Sequence, residues 1–182
     1  MSDVLQELQP VLAARETKPI LVSMAAGLTI SQLEEMAEGT CPVIRIMPNT
    51  PVSVGQGVIL YDCGNGVQQE DETAFLELLA QSGRLVHLSE SFIDAGTAIS
   101  GCGPAFAYLL IDAMADGGVA CGLPRADALQ LAAQTLLGSA QMVMETGKHP
   151  EQLKNEVCSP GGSTIQGVRT LEQRSVRAAM MD

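Results

Sequence analysis

Residues 100–125 read SGCGPAFAYLLIDAMADGGVACGLPR, and this stretch decides how the chain divides. From about 104 to 121 it predicts one long helix. Ala105, Phe106, Ala107, Leu109, Leu110, Ile111, Ala113, Met114 and Ala115 leave almost no polar side. A helix apolar nearly all round must be covered on every side. The second half of the chain holds little material for that, so a partner subunit is expected to complete it, with helices packed closely at Ala and Gly positions. The longest apolar run, PAFAYLLIDAM, contains Asp112 and is too short to span a bilayer, so no membrane is expected.

Working outward, Gly122 suits a left-handed helix end and Pro124 the first turn of a successor running to about Thr146. A shorter helix is predicted over 150–157, and a last one from near Ser163. Upstream, Ser89 is placed to cap a helix over 90–99. Residues 90–182 therefore read as all-helical.

Residues 1–89 alternate instead. Val4, Leu5, Leu8, Val11 and Leu12 form a helical stripe. The runs PILVSM (19–24), PVIRIM (42–47), GVILYD (57–62) and RLVHL (84–88) predict four short strands. Thr29 and Gln32 have capping-box spacing for a helix to about Ala37. Asn65-Gly66 predicts a turn, and a helix over 68–82 is expected to present Phe75, Leu78 and Leu79 on one face. Strand–helix–strand order with short connections predicts parallel pairing. The expected fold is an α/β part resembling an incomplete doubly wound sheet, followed by a helical domain.

The formal charge of -11 over 182 residues argues against a nucleic-acid partner, because no Lys or Arg cluster opposes it. Without tryptophan and with three Phe and two Tyr, the core must be aliphatic. Five dispersed cysteines without a CxxC pair, and two histidines without ligand spacing, predict no metal site. The same cysteines fit a reducing cytoplasm, and MSDVLQELQP is unlike a signal peptide. His149 is read as a surface residue at a helix start.

Three loops carry candidate chemistry. In Ser159-Pro160-Gly161-Gly162-Ser163-Thr164, two glycines and two hydroxyls open a helix. A helix start exposes free N–H groups, and glycine lets a ligand reach them, which makes a seat for a small anion such as a carboxylate. The plain alternative is an ordinary capped helix start, which needs only one of these residues. SGCGP (100–104) is either a phosphate cradle or, more simply, a tight helix–helix joint, since it follows a helix and lacks a third glycine. MPNTP (47–51) follows a predicted parallel strand, where open α/β sheets bind ligands, but strand ends also carry Pro and Asn for turn reasons. SMAAG (23–27) ends the neighbouring strand with side chains small enough to admit a flat ring.

SPGGSTIQGVRTLE, SGCGPAFAYLLIDAMADGGVACGLPR and RIMPNTP closely resemble pyrroline-5-carboxylate reductases, from about Val4 to the end. That resemblance implies a dinucleotide-binding (Rossmann-like) domain over 1–89 and a helical domain over 90–182 that interlocks with its twin in a homo-oligomer, a dimer or a ring of dimers. It implies hydride transfer from NADPH or NADH to 1-pyrroline-5-carboxylate, giving L-proline. Ser159, Gly161, Gly162, Ser163 and Thr164 would hold the substrate carboxylate, and Thr97 would stand near the ring nitrogen. Ala25, Ala26, Gly27, Met47, Pro48 and Asn49 would line the nicotinamide and its ribose. The family opens with a strand, a GxGxxG-type turn and a helix that have no counterpart in this sequence. The chain is therefore expected to begin inside the nucleotide-binding domain and to stop partway through a family helix. Two rivals follow: a non-catalytic oligomerisation module that has lost cofactor binding, and another imine or β-hydroxyacid reductase of the same architecture.

Overall fold

A computed structural model describes residues 2–182 and forms two compact units, Met1–Leu109 and Leu110–Asp182. In the first, α1 (Ser2–Ala13) precedes β1 (Leu21–Ser23), α2 (Ile30–Met36), β2 (Val43–Pro48), β3 (Gly57–Cys63), α3 (Gln69–Leu79), β4 (Gly83–His87) and α4 (Glu90–Ser100). Thr29 and Gln32 form the expected capping box, with Gln32 N donating to Thr29 Oγ1 at 3.2 Å and Thr29 N to Gln32 Oε1 at 2.9 Å.

The four strands stand in the order β1-β2-β3-β4. The outer pairs, β1–β2 and β3–β4, are parallel as expected, but β2 and β3 are antiparallel. Between them lie only residues 49–56, a single 3-10 turn over Thr50–Val54. A parallel crossover needs a dozen or more residues, so the chain reverses as a hairpin. The sheet is therefore mixed.

Alternate residues of β2 serve opposite faces. Ile44 and Ile46 join Ile59, Tyr61 and Phe75 in the larger core cluster, beneath α3. Val43 packs with Ile30 and Leu33 of α2 on the other face. Within α3 the inward residues are Phe75, Leu76 and Leu79, whereas Leu78 is 80% exposed, contrary to its predicted place in that stripe. Ser89 does not cap α4. Its hydroxyl lies beside that of Ser91, and the first amide of the helix, Glu90 N, donates instead to Asp62 Oδ2 at 2.6 Å.

Helix α5 (Gly103–Ala120) contains the boundary between the units, and α6 (Arg125–Thr146), α7 (Pro150–Glu156), α8 (Ser163–Gln173) and α9 (Val176–Met181) follow. Pro124 stands at the N-cap of α6, one residue before the predicted first turn. The core of the second unit is small, with Ala115, Ala128 and Ala132 beside Ile111. A Cβ on Gly118 would stand 3.1 Å from Ala128 Cβ, so α5 and α6 approach closely. Leu129, Leu131, Leu137, Met142 and Met144 of α6 remain exposed. Taken together, α4 and α5 make a stretch, Glu90–Ala120, long and apolar enough by length and composition to cross a membrane, which the shorter run read from sequence was not.

Candidate active site

Parallel pairing of β1 with β2, in the register Ser23↔Arg45, brings the loops after both strands to one end of the sheet. Ala25, Ala26 and Gly27 therefore share an edge with Met47, Pro48 and Asn49. Ser23 is buried, and its hydroxyl accepts from Ala25 N at 3.3 Å, which folds the first loop back on its strand. Gly27 adopts φ +75, and no atom lies within 4 Å of where its Cβ would stand. Gly27 is exposed, so this small-residue loop opens to solvent beside half-buried Met47 and Pro48.

Asn49 is held at three points. Its amide N–H donates to Val58 O at 3.1 Å, its Oδ1 accepts from Val58 N at 2.8 Å, and its Nδ2 donates to Ser100 O at 2.9 Å. The last bond ties the hairpin after β2 to the carboxyl end of α4. Thr97 lies one turn earlier on that helix, so the structure brings it to the same end of the sheet. Its hydroxyl donates to Ile93 O at 2.7 Å, leaving its lone pairs as acceptors. Gly101 N and Cys102 N both donate to Thr97 O, at 2.8 and 3.1 Å. With those amides used, SGCGP is a helix–helix joint and not a phosphate cradle.

A charged cluster that the sequence reading passed over lies under α4. Arg45, 3% exposed in mid-strand, pairs through Nη1 with Glu90 Oε1 at 3.3 Å and through Nη2 with Asp94 Oδ1 at 3.1 Å. Glu90 Oε1 also accepts from Ile30 N, the first amide of α2, at 2.6 Å. Asp62 Oδ1 meets His87 Nε2 at 3.1 Å. The available signal was an arginine inside the apolar run VIRIM, with two carboxylates four apart at the start of a helix. Nearby on the sheet, burial and then Glu72 push the Tyr61 hydroxyl up to about 12, and burial followed by Glu72 and Asp62 pushes the Cys63 thiol up to about 11.

In the helical unit, Ser159 to Gly162 form a tight turn. Gly162 N donates to Ser159 O at 3.0 Å, and Gly161, with φ +70, supplies the positive dihedral that a type II turn requires at its third position. A Cβ on Gly162 would collide with Ser159 Oγ and stand 3.2 Å from Ser159 O. Gly162 is also the N-cap of α8, and no side chain caps that helix, so the amides of its first turn face outward beside the exposed Ser163 and Thr164. The turn is braced across its flanks. Glu151 of α7 pairs with Lys154 and with Arg177 of α9, and those bonds, Lys154 first, hold its carboxyl below the usual range.

An α/β unit whose small-residue and Asn49 loops share one end of the sheet, followed by a helical unit with many exposed apolar side chains, defines a two-part protein. A family model described as pyrroline-5-carboxylate reductase dimerisation matches residues 90–182. The chain is 46% identical over its whole length to a pyrroline-5-carboxylate reductase of Glycine max, and 49% identical over 90% of its length to one of Arabidopsis thaliana. It spans 65% and 59% of the length of those two curated relatives. A crystal structure of a Plasmodium falciparum pyrroline carboxylate reductase, with NADP bound, superposes with a TM-score of 0.88 at 36% identity, covering 99% of this chain and 71% of that one. A Coxiella burnetii pyrroline-5-carboxylate reductase gives a TM-score of 0.89 at 32% identity, covering 99% of this chain and 66% of that one. The chain belongs to the pyrroline-5-carboxylate reductase family.

Proposed function

We propose that this chain takes part in the reduction of 1-pyrroline-5-carboxylate to L-proline with NADPH or NADH, as a homo-oligomer paired through its helical unit. Family membership supplies the reaction class. The structural observation that carries the reading is the Ser159–Gly162 turn, which leaves the first amides of α8 without a side-chain cap. Uncapped amides at the positive end of a helix dipole bind a carboxylate, and the Ser163 and Thr164 hydroxyls add donors.

Thr97 takes the ring nitrogen. Because its hydroxyl proton is committed to Ile93 O, Thr97 Oγ1 accepts from the N–H of a protonated imine and does not serve as an acid. An imine that arrives protonated needs no acid from the protein. Its C=N carbon is already electrophilic, and the amine formed takes its next proton from water. Ala25, Ala26, Gly27, Met47, Pro48 and Asn49 would hold the reduced nicotinamide, which supplies the hydride when bound. Fixing each reactant is the main contribution asked of these groups.

The exposed apolar side chains of α5 and α6 support pairing with a second copy over contact with a lipid bilayer, since the matched domain is a dimerisation domain. A net charge of -11 supports the absence of a nucleic-acid partner, and five unpaired cysteines support a reducing compartment such as the cytoplasm. The test is pyrroline-5-carboxylate-dependent oxidation of NADPH and NADH by the chain, with Thr97→Val beside it. Removing the acceptor is expected to lower kcat about 10- to 100-fold. No turnover by the wild-type chain, with retained self-association, would favour the non-catalytic oligomerisation module.

A further inference from the structure

Helix α4 is fastened to β2 at two places. Arg45 holds Glu90 and Asp94 near its start, and Asn49 holds Ser100 O at its end. Four residues of strand, 45 to 49, span about 13 Å. The eight helical residues from midway between Glu90 and Asp94 to Ser100 rise about 12 Å. The two rulers agree, so both fastenings close together without bending either element. On this scale Thr97 lies about 4.5 Å before the Ser100 level, opposite Met47 and Pro48.

We propose that Arg45 is a positioning residue: by bridging Glu90 and Asp94 it fixes the lengthwise register of α4 that sets Thr97 level with Met47 and Pro48. The inference rests on the proposed role of Thr97. Both terminal nitrogens of the guanidinium reach the same helix, one to each carboxylate, while its Nε is buried with no partner among the described residues. A planar fork with fixed spacing suits two carboxylates one helical turn apart, whereas a lysine ammonium offers a single point charge. Burial strengthens the constraint, because a buried guanidinium cannot trade its partners for water. Asn49 fixes the end of α4, Asp62 holds its first amide, and the Arg45 fork adds the side-chain tie to β2 over its first turns. Gly96 closes the arrangement between them, since a Cβ there would stand 2.7 Å from Leu60 Cδ1.

The test compares wild type, Arg45→Lys and Asp94→Asn as full chains, with kcat and KM for 1-pyrroline-5-carboxylate measured beside Tm. Arg45→Lys is expected to lose about tenfold or more in kcat while KM changes less than about threefold, since misplacing a reacting group costs rate and not carboxylate affinity. Asp94 is 83% exposed at its side chain, so Asp94→Asn folds even if Arg45→Lys does not, and it is expected to lose several-fold in kcat with an unchanged Tm. A kcat within about twofold of wild type in Asp94→Asn and in any folded Arg45→Lys overturns the proposal, as does a fall that only follows the folded fraction. If the wild-type chain shows no turnover, the proposed function fails, and amide exchange then decides the clamp separately. Exchange about tenfold faster over residues 97–102 in Asp94→Asn, with α3 unchanged, supports it, and unchanged protection in α4 overturns it.

Discussion

The side-chain amide of Asn49 donates to the backbone carbonyl of Ser100 at 2.9 Å, joining the hairpin after β2 to the end of α4 across fifty-one positions of sequence. Asn49→Asp keeps the acceptor for Val58 N but loses this donor and turns a negative oxygen toward a carbonyl. We expect a loss of about 1–3 kcal/mol, read from the denaturant midpoint at unchanged slope.

The Ser159–Gly162 turn makes two different demands on its glycines. Gly161→Ala meets open space but is strained by its positive φ, at a cost of about 1–2 kcal/mol. Gly162→Ala instead pushes Ser159 out of the turn. Proline binding, measured by calorimetry, is expected to weaken about tenfold or more in Gly162→Ala and to recover in part in Ser159→Ala/Gly162→Ala. Unaltered proline affinity in Gly162→Ala would remove the carboxylate seat from this turn.

Alkaline pH should unfold the α/β unit before the helices. The folded state keeps protons on Cys63 to about 11 and on Tyr61 to about 12, whereas unfolded chains release them near the ordinary values of 9.0 and 10.0. Both pKa values are raised, so this stabilisation is full below pH 9 and is lost as pH rises through 9–11 for Cys63 and 10–12 for Tyr61. Urea midpoints measured at successive alkaline pH values should fall over that window. Tyr61→Phe should flatten its upper part, although it also gives up the bond to Glu72.

Leu137, 57% exposed on α6, marks the surface assigned to a second copy. Burying a leucine contributes about 1.5–3 kcal/mol, so Leu137→Glu should weaken self-association about tenfold or more. Sedimentation over a range of concentrations measures this. A wild-type chain that remains monomeric throughout would exclude pairing through these helices.

The parts legible in the sequence were those made by neighbours. The Thr29–Gln32 box is built from atoms three residues apart, so residue type and spacing were enough to place it, and the helix start near Ser163 was legible in the same way, although the tight Ser159–Gly162 turn before it was not foreseen. The family could likewise be read from three contiguous stretches. Other features depended on where distant segments came to rest. Leu78 faces outward because α3 meets the sheet through Phe75, Leu76 and Leu79, and Asp62 displaced Ser89 as the partner of the first α4 amide, whereas the β2–β3 reversal was open to a local reading, since too little chain separates those strands for a crossover. Arg45 states the difference most plainly. Its charge in an apolar strand was visible in the sequence, but its carboxylates lie 45 and 49 positions away, and only packing α4 on the sheet brings them to a guanidinium that is itself buried from water.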